Sequence, residues 1–209
     1  MDLATLIPAF TALFVIIDPP GLVPLFIALT QGMTPRERRA IAVRAILVSA
    51  ALMLLFVLAG EAVLGFVGIS MPAFRIAGGV LLFLTALEML FQKRQARREH
   101  NAETGNSDPD QDPSVFPLAL PLIVGPGAIT TVILLTEQAD TATGVAAVYG
   151  VVLAILAIVF VALLAAEPIG RALGKTGINV VTRVLGMLLA ALAIQFILDG
   201  IVVSFGLGG

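Results

Sequence analysis

Six long apolar runs, separated by polar stretches, organise this chain of 209 residues. They cover about 3–31, 39–60, 73–91, 115–137, 144–166 and 181–203. A helix of roughly 20 apolar residues crosses the ~30 Å hydrocarbon core of a bilayer. The pattern therefore predicts an all-α membrane protein with six transmembrane helices in one domain over 1–209. Two of the runs are interrupted. "DPPG" at 18–21 breaks the first, and "GPG" at 125–127 breaks the fourth. The longest polar stretch, "QKRQARREHNAETGNSDPDQDPS" at about 92–114, begins basic and ends acidic.

Charge fixes an expected orientation. Arg36, Arg38, Arg39 and Arg44 follow the first run, and Lys93, Arg94, Arg97 and Arg98 follow the third. Arg171, Lys175 and Arg183 surround the fifth loop, which leaves Arg75 alone on the opposite side. Cytoplasmic loops are the ones enriched in Lys and Arg. The odd-numbered loops are thus expected in the cytoplasm and both termini outside, with a bacterial inner membrane as the natural setting. "MDLATLIPAF" lacks a basic leader region and reads as the start of a helix rather than a cleaved signal.

The two interruptions are related. Pro20 aligns with Pro126 and Gly21 with Gly127, an offset of 126 − 20 = 106. The same offset carries Glu61 onto Glu167, and a two-residue slip carries Arg75 onto Arg183 and Gly78 onto Gly186. Residues 1–91 and 115–209 then form two three-helix repeats. Because three is odd, the second repeat must enter the membrane from the other side. Inverted repeats of this kind build many secondary transporters, whose sites lie where broken helices meet near the midplane.

The chemistry of the breaks follows from the residue types. Pro19 and Pro20 end the helix before them, because proline lacks an amide donor and clashes with the carbonyl one turn back. Gly21 permits a new half-helix to start. Gly125, Pro126 and Gly127 repeat this, with Thr130 and Thr131 just beyond. First-turn amides lack intrahelical partners and carry the positive end of the helix dipole. Two such starts facing one cavity would bind a carboxylate or another small anion. Asp18 would hold an ammonium group, take up a coupling proton, or simply cap the new half-helix. The structural alternative is that both breaks are proline kinks and nothing more.

Other polar residues have plainer readings. Glu61 with Arg75, and Glu167 with Arg183, are placed to form a salt bridge within each helical hairpin, and Arg44 is placed to pair with Glu88. Gln195 in the sixth run either lines a cavity or bonds to another helix. Asp199 is expected in solvent, and Gly78, Gly79 and Gly186 at close helix contacts. "KRQARR" is a topology signal that touches anionic lipid at most.

Composition removes several classes. The chain is 59% hydrophobic and 12% charged, against about 25% charged in a soluble domain. It has no cysteine, and its one histidine, His100, sits in the polar loop. Disulfide and thiolate metal chemistry are excluded, the single histidine argues against imidazole metal sites, no cofactor is implied, and no constellation at depth suggests an enzyme. A net charge of −2 gives no reason to expect a nucleic-acid partner. The expected partners are a small solute, H+ or Na+, and membrane lipid.

"DPPGLVPLF", followed after a polar loop by "GPGAITTV", resembles the MarC family of multi-pass membrane proteins over essentially the whole chain. The family's motif positions fall here on Asp18, Pro19, Gly21 and Pro24, and on Gly125, Pro126, Gly127, Thr130 and Thr131. The family is grouped with LysE-type exporters, and some members are described as transporters of small neutral amino acids. The resemblance implies a six-helix membrane fold and, more loosely, solute export. The expected function is a secondary transporter that exports a small neutral amino acid or similar metabolite. The expected site is Asp18, Pro19, Pro20, Gly21, Gly125, Pro126, Gly127, Thr130, Thr131 and Gln195. Two rivals stand beside it: an ion or metal carrier, and a non-transporting scaffold or envelope-stress protein.

Overall fold

In a computed structural model of the protein, residues 3–91, 112–139 and 141–206 are described, with backbone alone for residues 3–5 and 175. All but the last three positions of the 92–114 loop lie outside these residues, as do both chain ends. The described regular structure is entirely helical. The elements are α1 (Leu3–Ile17), α2 (Pro19–Leu29), α3 (Pro35–Val67), α4 (Met71–Leu90), α5 (Ser114–Ile123), α6 (Pro126–Glu137), α7 (Ala142–Leu164) and α8 (Ala166–Phe205).

Five helical stretches are long and apolar enough to cross a membrane, and the bent pair α5–α6 makes a sixth. α1 and α2 form one span with a single non-helical residue, Asp18, between them. α5 and α6 meet at 58°. α5 is itself irregular. Pro117 and Pro121 remove two amide donors within it, and the backbone is extended at Phe116 and Leu120.

Two helices exceed their expected bounds. α3 has 33 residues, about 50 Å of helix, longer than the ~30 Å hydrocarbon layer and long enough for its basic first turns to stand outside it. Thr34 starts it with a capping box: Glu37 N–H donates to the Thr34 hydroxyl, and the Glu37 carboxylate accepts from Thr34 N–H at 2.7 Å. At the other end of the chain, the polar stretch expected before the sixth run is helical. α8 starts at Ala166 and is kinked by Gly174 at φ 59°, ψ 176°. Gly68, which ends α3 at φ 81°, precedes Gly174 by 174 − 68 = 106 residues. Both glycines take a left-handed conformation that other residues rarely adopt.

The broken spans are central. In an 18-residue apolar stretch of the Leu6–Leu29 span 72% of positions are buried, whereas in the corresponding stretches of the other single spans 17–39% are. In α6, Ala128 and every residue from Thr130 to Leu135 are buried. α3, α4, α7 and α8 surround them, each with an outer face of exposed apolar side chains such as Leu58, Val161 and Met187. The contacts come in matched sets: α3 on α7, α4 on α8, α1 on α7 as α5 on α3, and α2 on α8 as α6 on α4. Glycines permit the tightest approaches. A β-carbon on Gly79 would lie 2.8 Å from the Ala193 carbonyl oxygen, and one on Gly200 would lie 3.0 Å from that of Pro72.

Candidate functional site

The first break closes on itself. Asp18 adopts φ 57°, ψ 64°, is fully buried, and is the N-cap of α2. A helix start leaves four amides without intrahelical partners. Here the Asp18 amide continues α1 by donating to the Phe14 carbonyl at 3.0 Å. Pro19 and Pro20 have no amide hydrogen. Gly21 N–H donates to Asp18 Oδ1 at 3.2 Å, and Leu22 N–H begins the helical ladder on the Asp18 carbonyl. No donor of this turn is left for an anion. The expectation that both half-helix starts offer amides therefore applies to one of them only, because prolines and the aspartate use up the first. Asp18 Oδ1 also accepts from the Thr182 hydroxyl on α8 at 3.4 Å.

The second break is open. Gly125, the N-cap of α6, is extended (φ −89°, ψ 169°) and has no side chain to cap with. Pro126 again lacks an amide hydrogen, and Ile129 N–H begins the ladder on the Gly125 carbonyl at 3.0 Å. The amides of Gly127 and Ala128 are thus first-turn donors without a side-chain cap, in buried residues. Gly125 is half-buried and Pro126 exposed at the edge of the break.

The two breaks lie side by side. A β-carbon on Gly127 would come 3.4 Å from Cγ2 of Ile16, two residues before Asp18. Thr131 is one turn beyond Gly127 on the same helix face. Its hydroxyl is fully buried and has no protein hydrogen-bond partner. Thr130, also buried, turns its methyl toward Gly78 on α4.

On α3, Ser49 is a further buried polar residue, which sequence reasoning passed over. It belongs to the buried stripe of α3 that runs through Ala45, Met53, Val57 and Gly60. Gly60 packs on Ile133 of α6, and Ser49 lies 11 residues earlier, about three turns along the same face. Its hydroxyl too is buried without a partner. A helical serine ordinarily bonds its own backbone or solvent, so two orphaned hydroxyls on packed helices stand out. Only the stripe's otherwise apolar character could have singled Ser49 out from sequence. Gln195 is not brought here: it is exposed on α8 and donates to Asp199 at 2.7 Å.

Among known proteins, the sequence matches the family described as "MarC family integral membrane protein" over residues 3–205. The chain belongs to the MarC family. A UPF0056 membrane protein of Methanocaldococcus jannaschii is 38% identical over 202 residues, covering 96% of this chain and 98% of the relative. One from Archaeoglobus fulgidus is 38% identical over 196 residues, covering 92% and 90%. The UPF0056 inner membrane protein YhgN of Escherichia coli is 35% identical over 202 residues, covering 94% and 95%. No solved structure matches. This MarC chain is an integral membrane protein.

The ion pairs of this MarC protein differ from those expected within hairpins. Arg75 binds Glu137 of α6 at 2.6 Å rather than Glu61, because α6 packs against α4. Glu167 pairs with Arg38 of α3 rather than with Arg183. Arg44 pairs with Asp112 at 2.5 Å rather than with Glu88. Each pair joins residues 1–91 to the later part of the chain.

Proposed function

We propose that this MarC-family chain is a secondary transporter of the inner membrane, exporting a small neutral amino acid or similar small metabolite. The observation that carries this reading is the apposition of the two mid-span breaks, Ile16–Asp18 beside Gly125–Gly127, with uncapped amides and the orphaned Thr131 hydroxyl beside them. Irregular backbone at membrane depth is tolerated where it lines a cavity or lies within protein.

In this mechanism the Gly127 and Ala128 amides receive the solute carboxylate, aided by the dipole of α6. The Thr131 hydroxyl donates to it or to its side chain. Asp18, held by Gly21 and Thr182, faces the ammonium group or carries the coupling proton. The two three-helix halves rock around the fixed site. Support for the halves comes from the shared offset of 106 in the Pro-Gly breaks and in Gly68 and Gly174, and from the matched contacts of α2 on α8 and α6 on α4. Energy comes from a gradient of H+, Na+ or the solute itself, since the sequence holds no GxxxxGK[ST] nucleotide loop.

A thermal-shift panel on the purified protein tests this reading. Alanine, glycine, serine or threonine at millimolar concentration raises the Tm of the wild type, because a ligand that binds only the folded state stabilises it. The shift disappears in Thr131→Val. A panel that leaves the Tm unchanged throughout contradicts amino acid binding.

A further inference from the structure

A cavity of about 440 Å³ lies between α2 and the kinked start of α8, within the usual size of small-molecule sites, roughly 300–1,000 Å³. Its apolar walls are Pro24 and Ile27 on one side and Ile178 on the other, with Glu167 and Arg171 as charged residues. A second cavity of about 190 Å³ shares Ile27 and Glu167 and adds Arg38 and Arg39. The Arg38–Glu167 pair stands where the two adjoin.

The seam between α2 and α8 leads inward from this cavity. Ile178 is one turn, about 6 Å, before Thr182 on α8, and Pro24 is six residues, about 9 Å, beyond Asp18 on α2. The contact of Thr182 with Asp18 closes the seam at its inner end. Gly174, in its left-handed conformation, sits in the cavity wall and separates the Ala166–Leu173 part of α8 from the rest. At Gly170 a β-carbon would meet Ile27 at 3.0 Å, so this short helical part lies directly on α2.

We propose that this cavity is the aqueous vestibule by which a small carboxylate-bearing solute passes to Asp18 from the arginine-bearing face. Arg38–Glu167 closes its mouth and Asp18–Thr182 its floor. Arg39 and Arg171 draw the carboxylate in, since basic groups at a low-dielectric cleft concentrate anions. The apolar walls suit a small apolar side chain. Swinging the Ala166–Leu173 segment about Gly174 separates Glu167 from Arg38 and joins the two cavities. The inference rests on the transport reading, but water access is measurable without transport.

The protein has no cysteine, so single substitutions carry a clean signal. Pro24→Cys and Ile27→Cys are reconstituted in vesicles and treated with a charged methanethiosulfonate, which reacts with the thiolate in water. Gln31→Cys reports the arginine-bearing face, Leu58→Cys the lipid-facing surface, and Ile155→Cys the closed core. We expect both vestibule thiols to react from the same side as Gln31→Cys and at least tenfold faster than either Leu58→Cys or Ile155→Cys. Glu167→Gln, which weakens the mouth pair, speeds Ile27→Cys labelling several-fold. Vestibule thiols no faster than Leu58→Cys or Ile155→Cys, in variants with wild-type Tm, overturn the vestibule. So does labelling only from the opposite side. Transport reading and vestibule separate cleanly: fast labelling with no solute efflux keeps the vestibule and removes the transporter, while efflux with unreactive thiols does the reverse.

Discussion

Gly127 packs against Ile16, so the start of α6 meets the end of α1 with no side chain between them. A β-carbon there would lie 3.4 Å from Ile16 Cγ2 and 3.1 Å from Leu82 Cδ2. Both neighbours are side-chain atoms with some freedom to shift. Gly127→Ala therefore folds, at a cost of about 1 kcal/mol or less, near the lower end of overpacking. Its methyl intrudes between the breaks, and solute flux falls several-fold. Flux and Tm are measured on the same preparation, and full flux contradicts a site at this contact.

Ser49 and Thr131 separate a binding role from a structural one. A buried hydroxyl with no partner costs roughly 1–3 kcal/mol, so its removal does not destabilise. Ser49→Ala and Thr131→Val leave the Tm unchanged or raise it, by up to about 1 kcal/mol of stability, while solute affinity falls about tenfold in Thr131→Val. Melting and binding curves together check this. A clear drop in Tm contradicts the assignment of these groups as orphaned donors.

Helix packing gives a paired test. At Gly79 an added β-carbon meets the backbone carbonyl of Ala193 at 2.8 Å, which no rotamer change relieves. At Gly65, inside α3, it meets nothing within 4 Å. Gly79→Ala lowers stability by about 1–3 kcal/mol by forcing α4 from α8. Gly65→Ala is neutral or stabilising by up to about 1 kcal/mol through helix propensity. Unfolding in detergent micelles resolves the two.

Asp112 gives a dependence on pH outside the membrane. Burial pushes its carboxyl up, but the Ser114 hydroxyl and amide, then Arg44, outweigh burial and hold it below the usual carboxylate value. A group depressed in the folded state stabilises above its unfolded pKa of about 3.9, and that contribution is lost as pH falls through the lower folded value. The stability gap between wild type and Asp112→Asn is therefore constant from about pH 8 to 5 and shrinks below about pH 4. A gap unchanged down to about pH 2 contradicts it.

Much of this was legible in the sequence because proline and glycine act locally. Pro19, Pro20, Pro126 and Gly127 fixed both breaks to within a residue or two, and apolar length fixed the six spans. Partnerships between distant segments were not legible. Arg75 finds Glu137 rather than Glu61 because α6 docks on α4, a tertiary fact with no local sign. Gln195 points outward because the buried stripe of α8 runs through Leu189 and Ala193 instead. The helical stretch from Ala166 looked like a loop because Pro168, Gly170, Gly174 and Gly177 dilute its apolar pattern, yet its backbone continues apart from Gly174. That Asp18 leaves no amide free at its own break needed the geometry of the turn.

The most direct measurement of the central claim is gradient-driven efflux of alanine, glycine, serine and threonine from proteoliposomes, wild type against Asp18→Asn. Asparagine tolerates the left-handed conformation and keeps an oxygen that accepts from Gly21 N–H, so the cap survives and only the charge is lost. Wild type releases at least one of these solutes, and the variant loses tenfold or more of that efflux at unchanged Tm. Undiminished efflux by Asp18→Asn would contradict a role for the Asp18 charge, and no efflux of any of the four by folded wild type would contradict amino acid export.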